Sequence, residues 1–330
     1  TEGLAYSTGG VGSAGSMLDD EKLARQIEDL AVQLAGGAGE ILAGHFGRQM
    51  TIEYKDETKR DPVTAADKAC QEHMEREIAR KFPGHGILGE EGSDDAETPS
   101  PDFLWVLDPL DGTTNFLNGL PVYAVSVGVL HKGRPLAGAL FIPWPKPGGG
   151  FVLHCRQGGG CFAGEDPVEV YKSDEPVNNR LAGLPGHFSY FTKYGKGLRG
   201  KSGEPRTTGS IAYELAMTAC GVMQYAVFGA PRMWDMAAGA LAVMEAGGTV
   251  MTRSPKEKGW HVMESFVPTW QEKPPTLKEL RRWVAPLVVG NYKVAPLLAA
   301  NLRSRFHPMA KVRRITRRFH WPKKKQQKES

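Results

Sequence analysis

The sequence is poor in the features that anchor a chain in a membrane or cross-link a small secreted domain. It has no uninterrupted apolar run of about 18 residues, so it predicts no transmembrane helix. Its four cysteines form no Cys-x-x-Cys pair and no zinc-finger spacing, which argues against a disulfide framework and a structural zinc site. Cys155 and Cys161 would form a disulfide only on paired strands, and we expect both to serve packing. These features predict a reducing, cytoplasmic location.

Positive charge is scarce in most of the chain and concentrated at its C-terminal end. The whole chain has a formal net charge of +4, whereas residues 303–330 hold eleven Lys and Arg against one Glu and so carry +10, which leaves −6 for the remainder. Apolar residues recur at near-helical spacing through this tail, delimited as 304–330, as in a basic helix that binds an anionic membrane or nucleic acid. A solvated, disordered tail is the alternative. Residues 1–18, rich in Gly and Ser, predict a disordered leader.

The patterns between these ends divide the chain in two. Residues 19–175 predict helices on a largely antiparallel sheet, and residues 176–303 alternate helices and strands in the α/β manner. The predicted helices cover 18–46, 67–82, 211–220 and 233–245, and the predicted strands cover 51–55, 86–88, 103–107, 122–130, 136–142, 150–154, 181–184, 222–228 and 249–252.

One stretch, residues 253–285, does not fit the alternation. It contains three Trp residues and several prolines, and Thr276 could cap a short helix within it. We interpret it as an insertion that either covers a site or packs against the body of the protein. The usual burial of large aromatic residues favours packing.

The most informative stretch runs from Trp105 to Phe116. An apolar strand predicted over 103–107 delivers Asp108 and Asp111 to its end, where a Gly-Thr-Thr turn follows. Carboxylates are the hard oxygen ligands that Mg²⁺ prefers, and N–H groups at the start of a helix favour a phosphate. A surface turn of common turn residues is the alternative interpretation. The arrangement indicates phosphate chemistry assisted by a divalent metal.

This stretch resembles the Trp-x-x-Asp-Pro-x-Asp-Gly-Thr-Thr-Asn-Phe signature of the inositol monophosphatase family, which consists of lithium-sensitive, Mg²⁺-dependent phosphatases. Three further segments match in the same order, at 61–67, 89–91 and 234–239. The resemblance extends over roughly residues 19–303. It implies an α+β fold, layered as an α-β-α-β-α sandwich like that of inositol monophosphatase and fructose-1,6-bisphosphatase, and a homodimer.

The resemblance also implies a metal centre of two or three Mg²⁺ ions. Glu90, Asp108 and the Leu110 carbonyl correspond to the ligands of a first ion, and Asp108, Asp111 and Asp235 to those of a second. Four carboxylates in one cleft would repel one another strongly without cations, because unit charges about 4 Å apart interact by roughly 4 kcal/mol at an effective dielectric constant of 20.

The same resemblance implies that two side chains orient the attacking water and accept its proton, and that Glu90 is a further catalytic residue. Asp67 is the candidate base and Thr113 the candidate relay. Asp67 also stands at the start of a predicted helix, where a structural cap is the alternative role. The sequence shows no Ser-His-Asp or reactive-cysteine pattern that would support a covalent route instead.

The residues that correspond to the family's substrate contacts are Asp111, Gly112, Thr113, Thr114, Gly209, Ser210 and Phe228. In the family, a Glu that accepts hydrogen bonds from inositol occupies the position of Phe228, and a phenyl group cannot do so, at a cost of about 1–3 kcal/mol. This difference argues against specificity for myo-inositol itself. Arg232, three residues before Asp235, could favour a substrate that carries a second anionic group. The resemblance as a whole implies a small, inositol-phosphate-like monoester, with 3′-phosphoadenosine 5′-phosphate, fructose 1,6-bisphosphate and histidinol phosphate as alternatives. A non-enzymatic protein that binds a membrane or nucleic acid through its tail, with a vestigial phosphatase body, is the remaining hypothesis.

Overall fold

The computed structural model describes residues 14–48, 52–54, 62–92, 97, 99–143, 149–253 and 259–305. The predicted leader up to residue 13 and the predicted tail from residue 306 lie outside these ranges, as does Asp61 of the matched segment. The helices are α1 (Ala14–His45), α2 (Ala65–Lys81), α3 (Thr113–Leu117), α4 (Phe188–Phe191), α5 (Ile211–Ala219), α6 (Met233–Glu245), α7 (Leu277–Arg281) and α8 (Val294–Asn301). The strands are β1 (Ile52–Tyr54), β2 (Pro62–Thr64), β3 (Gly86–Gly89), β4 (Phe103–Asp111), β5 (Ala124–His131), β6 (Arg134–Ile142), β7 (Phe151–Arg156), β8 (Gly160–Ala163), β9 (Asp166–Pro167), β10 (Leu181–Gly183), β11 (Thr192–Tyr194), β12 (Glu204–Arg206), β13 (Met223–Phe228), β14 (Gly248–Thr252), β15 (His261–Val262), β16 (Leu287–Asn291) and β17 (Leu302–Ser304).

The first large sheet has seven strands in the order β3-β4-β5-β6-β7-β8-β9. Its β3–β4 pair is parallel and its other pairs are antiparallel. The sheet is therefore largely antiparallel, as the sequence predicted. The β5–β6 connection is a two-residue turn in which Lys132 and Gly133 both have positive φ, the geometry that tight hairpins require. Cys155 and Cys161 lie opposite each other on β7 and β8 as free, buried thiols. Packing is therefore their observed role.

The second large sheet has six strands in the order β12-β10-β13-β16-β14-β15. Strand β10 runs parallel to both β12 and β13, whereas β16 is antiparallel to its neighbours. Strands β11 and β17 form a separate antiparallel ribbon that joins residues more than a hundred positions apart. The predictions for β10, α5, β13, α6 and β14 match the structure within one or two residues, but they contained neither this ribbon nor the β8–β9 hairpin.

The elements stack in five layers, alternately helical and β, because each sheet buries apolar side chains on both faces. Helices α1 and α2 pack on one face of the seven-stranded sheet. Helices α5 and α6 fill the space between the two sheets. Helix α8 covers the outer face of the six-stranded sheet. The fold is the predicted α-β-α-β-α sandwich.

The two N-terminal helices follow directly from the sequence. Helix α1 buries Ile27, Leu34 and Leu42 along one face and continues through the paired glycines Gly36 and Gly37. Helix α2 begins with a capping box, in which the Thr64 side chain accepts from the Asp67 N–H while the Asp67 carboxylate accepts from the Thr64 N–H. In the part of the chain that the structure describes, no helix has the length and apolarity needed to cross a membrane.

Candidate metal centre

The centre of the candidate site is the end of β4. The sequence predicted that this strand ends at Leu107, but it continues to Asp111 through a shift of register against β5 between Asp108 and Asp111. Asp108 is 1% exposed, and its Oδ1 accepts from the Leu110 N–H at 3.0 Å. The Leu110 carbonyl accepts from the Thr113 hydroxyl at 3.1 Å. At this irregular strand end, the two predicted ligand groups, the Asp108 carboxylate and the Leu110 carbonyl, each accept a hydrogen bond from a residue two or three positions later.

Asp111, the last residue of β4, is hydrogen-bonded to the start of α5. Its Oδ2 accepts from the Ser210 hydroxyl at 2.9 Å and from the Ala212 N–H at 2.5 Å, at the start of α5. Gly112 adopts φ of 98°, and a Cβ there would lie 3.1 Å from the Cβ of Ser210. The close approach requires glycine. The structure therefore brings Ser210, a predicted substrate contact, directly against Asp111.

Asp235 and Glu90 reach the same place from two other elements. Asp235 lies in the first turn of α6, where its carboxylate accepts from the Arg232 N–H at 2.8 Å. Glu90 follows β3, and its N–H donates to the Leu107 carbonyl at 3.0 Å. The charge of its carboxyl group helps to raise the pKa of Asp108.

Burial and mutual repulsion perturb these carboxyl groups. Burial, followed by the charges of Glu90, Asp111 and Asp235, holds the pKa of Asp108 well above its ordinary range. Burial and the charge of Asp235 do the same to the pKa of Asp111. Burial raises the pKa of Asp235 from 3.8 to about 7, although the Arg232 N–H opposes the change. Three strongly perturbed acids that interact with one another are characteristic of a functional centre.

The donor set fits divalent metal, although the side chains are not arranged around an ion. Within the described ranges, no three His, Cys, Asp or Glu side chains already form a ready metal site. Each carboxylate instead faces an N–H, a hydroxyl or another carboxyl group. Burial and mutual repulsion disfavour the ionised forms of these carboxyl groups, and a bound cation would stabilise those forms. Carboxylate oxygens are hard donors, which suit Mg²⁺. The residues present therefore fit the implied metal.

The predicted base and relay lie at the edge of this cluster. Asp67 is 2% exposed, and burial raises its pKa, with a smaller contribution from the charge of Glu90. Its Oδ2 accepts from both the N–H and the hydroxyl of Thr64, so the capping role is present. The Thr113 hydroxyl donates to the Leu110 carbonyl. Each side chain thus has a local partner of its own.

The turn at Gly209 is held from two sides by residues that sequence reasoning missed. Asn115 of the signature donates to the Thr208 carbonyl at 2.7 Å and connects the two halves of the site. Glu214, 5% exposed, accepts from the N–H and hydroxyl of Thr208, each at 2.9 Å. Its position on α5, four residues after Ser210, was the available signal. Phe228 is buried at the end of β13.

Glu90 is positioned by another missed residue. The Gln71 side chain accepts from the Glu91 N–H at 2.9 Å and donates to the Glu91 carbonyl, and it fills the space that a Cβ at Gly89 would occupy. Gln71 stands one helical turn after Asp67, so the i,i+4 rule could have indicated that it faces the same way.

The C-terminal part of the stretch 253–285 reaches the same loop. Arg281, at the end of α7, donates from Nη1 to the Glu90 carbonyl at 3.3 Å, and its guanidinium carbon lies 5.7 Å from the centre of the Trp234 ring. Its own carbonyl accepts from Arg232 at 3.4 Å. Trp270 is 1% exposed in the core between the sheets. The segment therefore packs structurally, as favoured, and it also contacts the elements that carry Glu90 and Asp235.

Comparisons with known proteins agree with this geometry. The model of the inositol monophosphatase family matches residues 23–288. The phosphatase IMPL1 of Arabidopsis thaliana is 34% identical over 234 residues, which are 66% of this chain and 60% of that relative. The fructose-1,6-bisphosphatase/inositol-1-monophosphatase of Aquifex aeolicus is 29% identical over 234 residues, covering 69% of this chain and 86% of that protein.

The solved structures give the same result. The crystal structure of the extragenic suppressor protein suhB from Bartonella henselae superposes with a TM-score of 0.63 at 25% identity, over 82% of this chain and 96% of that one. The layered fold is thus shared. The chain belongs to the inositol monophosphatase family, whose members are phosphoric monoester hydrolases.

Proposed function

We propose that the protein hydrolyses a small phosphate monoester with the help of two or three Mg²⁺ ions. The proposed ligands are the carboxylates of Glu90, Asp108, Asp111 and Asp235 and the carbonyl of Leu110. One observation carries the proposal: acids from three separate elements converge at the end of β4 and raise one another's pKa. The ordinary reason to keep such a costly group of buried acids is to bind a cation.

The bound ions would lower the pKa of a water molecule and stabilise the developing negative charge of the leaving oxygen. The remaining chemistry belongs to side chains of this chain. The Thr113 hydroxyl donates to the Leu110 carbonyl in this structure. To act as the relay, it would turn to give its own proton to Asp67 as it takes one from the attacking water. Because Thr64 engages Oδ2 of Asp67, we assign proton acceptance to Oδ1. Burial raises the pKa of Asp67, which makes it a stronger base.

The phosphate position follows from the start of α3. The N–H groups of Gly112, Thr113 and Thr114 begin this short helix beside Asp111. Such groups donate to phosphate oxygens and would hold the phosphorus in line with the water. Water attacks phosphorus directly, the ester P–O bond breaks, and the products are an alcohol and inorganic phosphate. The turn at Gly209 and Ser210, together with Phe228, would contact the alcohol part.

The test is phosphate release with Mg²⁺ or with a chelator, using inositol 1-phosphate, fructose 1,6-bisphosphate, histidinol phosphate and 3′-phosphoadenosine 5′-phosphate. We expect Asp111→Asn to reduce turnover at least about 100-fold, as loss of a metal-site residue does. Asp166→Asn, which changes an exposed carboxylate on β9, is the matched control. Turnover that persists in the chelator, or in Asp111→Asn, would contradict the proposal.

Three further properties are proposed from family membership and composition. They are inhibition by lithium, assembly as a homodimer and a cytoplasmic location, the last supported by four free thiols. Light scattering and a lithium titration of the turnover test the first two.

A second function is favoured by the charge of the tail. We propose that the segment from residue 304 binds an anionic membrane or a nucleic acid, because it carries a net charge of +9 in a chain whose total is +4. Deleting residues 306–330 should abolish salt-sensitive binding to anionic vesicles or to RNA while Mg²⁺-dependent turnover remains. Unchanged binding after the deletion would remove this hypothesis.

A further inference from the structure

Two adjoining cavities lie at one edge of the six-stranded sheet, and none of the described residues that line them is a proposed metal ligand. The larger, of about 570 Å³, is lined by the segments that follow β10 and β12 and by the ribbon strand β11. The smaller, of about 140 Å³, is lined by the end of β13 and by β17. Because Pro185, Phe188 and Thr192 line both, the two cavities form one cleft, the ribbon cleft.

The order of the strands places the ribbon cleft where a sheet of this kind can hold a ligand. Strand β10 lies between β12 and β13 and runs parallel to both. The chain passes from β10 to β12 on one side and then crosses to β13 on the other, which leaves a crevice at the carboxyl ends of these strands. Leu184, directly after β10, and Phe228, the last residue of β13, line the cleft at this crevice. Open α/β sheets bind their ligands at such a crossing point.

The ribbon cleft is cationic. Three basic residues line its larger cavity and two line its smaller one, in this order: Lys193, Arg199, Arg305, Arg253 and Arg303. No acidic residue is among the described residues that line either cavity. The Arg305 Nε donates to the Thr192 carbonyl at 3.3 Å, which holds one of these cations at the cleft. A concave surface lined by charges of one sign favours a ligand of the opposite sign.

Two of these cations lie in an arrangement that is unfavourable without a ligand. Lys193 on β11 and Arg303 on β17 are directly opposite partners in the antiparallel ribbon. Like charges in this position repel and destabilise the pair of strands. Among the residues that the structure describes, neither side chain forms an ion pair with a carboxylate. An anionic group bound between them would remove the repulsion.

The floor of the ribbon cleft is apolar and rigid. Leu184, Phe188 and Leu198 line the larger cavity and are buried in the hydrophobic cluster behind it. Tyr194 packs on Phe188 with ring centroids 5.2 Å apart, and its hydroxyl is fixed by that of Tyr225 at 2.9 Å. Small-molecule sites combine such apolar walls with a few charged groups, in volumes of roughly 300–1,000 Å³. The larger cavity, of about 570 Å³, lies within this range.

We infer that the ribbon cleft is a second ligand site, separate from the metal centre, and that it binds an organic anion made of a planar ring and a phosphate or carboxylate group. Lys193 and Arg303 hold the anionic group from the two strands of the ribbon. Phe188 and Tyr194 pack against the ring. Because the cleft supplies its own positive charge, the ligand binds without Mg²⁺ and is not hydrolysed there.

The first experiment is calorimetry of the full-length protein in chelator, where the acidic metal centre has no cation to attract an anion. The probes are phenylphosphonate, which joins a ring to an anionic group, methylphosphonate, which lacks the ring, and benzyl alcohol, which lacks the charge. We expect phenylphosphonate to bind, with an affinity that falls as salt is added. Each of the other two should bind at least about 10-fold more weakly, because each loses one of the two kinds of contact.

The second experiment separates a ligand site from a structural role. Lys193→Glu should weaken phenylphosphonate binding by at least about 10-fold, since a cation is replaced by an anion. It should also raise the melting temperature by about 1–2 °C, because it places an opposite charge across from Arg303. Lys196→Glu, which changes an exposed lysine outside both cavity linings, is the matched control and should do neither. Damage to the ribbon would instead lower both binding and stability.

A metal-site variant checks that the probe occupies the cleft. Asp111→Asn should bind phenylphosphonate as the wild type does, and loss of binding in this variant would overturn the inference. Absence of binding to the wild type, equal binding by Lys193→Glu, or a lower melting temperature of Lys193→Glu would overturn it as well. None of these results depends on Mg²⁺-dependent turnover, which tests the proposed function separately.

Discussion

Replacing Asp235 with Asn should make the metal-free protein more stable while it disables the proposed metal centre. The pKa of this half-buried acid rises from 3.8 to about 7, chiefly through burial. At a pH above 7 the ionised carboxylate therefore costs the folded state up to about 4 kcal/mol relative to the unfolded chain. Asn carries no charge and can still accept from the Arg232 N–H through its side-chain oxygen. The substitution should recover most of that free energy.

The sign of the pH dependence gives an internal control. Because the folded state holds its protons to higher pH than the unfolded chain, the metal-free wild type should lose stability as the pH rises from about 4 to about 7. At pH 4 Asp235 is protonated in the fold, so wild type and Asp235→Asn should have nearly the same stability. At pH 8 they should differ most. Mg²⁺ should stabilise the wild type at pH 8 and leave the variant nearly unchanged.

Thermal unfolding in chelator at pH 4 and pH 8 measures both effects. A gain of about 4 kcal/mol corresponds to a rise in melting temperature of roughly 6 °C in a chain of this size. Asp166→Asn should stay within about 0.5 kcal/mol of the wild type at both values, because the group is exposed. A variant that melts at or below the wild type in chelator at pH 8 would refute the reasoning.

Two further predictions concern the insertion. Arg281→Met should weaken Mg²⁺ binding by about 10-fold or more, because the Glu90 carbonyl loses its donor. It should also speed hydrogen exchange at residues 86–92. Arg282→Met, which changes an exposed neighbour, should have neither effect. Exchange that is unchanged in Arg281→Met would show that the contact does not position the loop. Trp270→Ala should lower the free energy of unfolding by about 3–5 kcal/mol in denaturant titration, since the ring is 1% exposed in the core between the sheets. A loss below about 1 kcal/mol would mean that the insertion does not pack as described.

Local patterns predicted those parts of the fold whose cause is local. The start of α2, which was predicted at Asp67 and lies at Ala65, and the apolar strand that leads to Asp108 each depend on a few consecutive residues, and both are present. The end of that strand was placed four residues too early. Pro109 and the shift of register near it interrupt the alternation of side chains by which a strand is recognised in sequence. Pairing with β5 nevertheless extends the strand to Asp111.

The missed elements share a physical cause, which is pairing between distant parts of the chain. The β11–β17 ribbon joins Thr192 to Ser304, and neither three-residue strand has a periodic pattern of its own. Gln71 and Arg281 reach the Glu90 loop from 20 and 191 residues away. Such contacts depend on where whole layers are placed, so no window of sequence reveals them.

The sequence by itself determined the chemistry of this protein: its acids, its signature turn and its charge asymmetry identify a family and a kind of reaction, because residue types at fixed spacing set what can bind a metal or a phosphate. The tertiary structure alone decided how these acids are perturbed and what surrounds them. It brought Asp111 against Ser210 and Gln71 against the loop that carries Glu90. Burial, repulsion and the shape of a cleft are properties of atoms that are close in space, and only the packed layers define them.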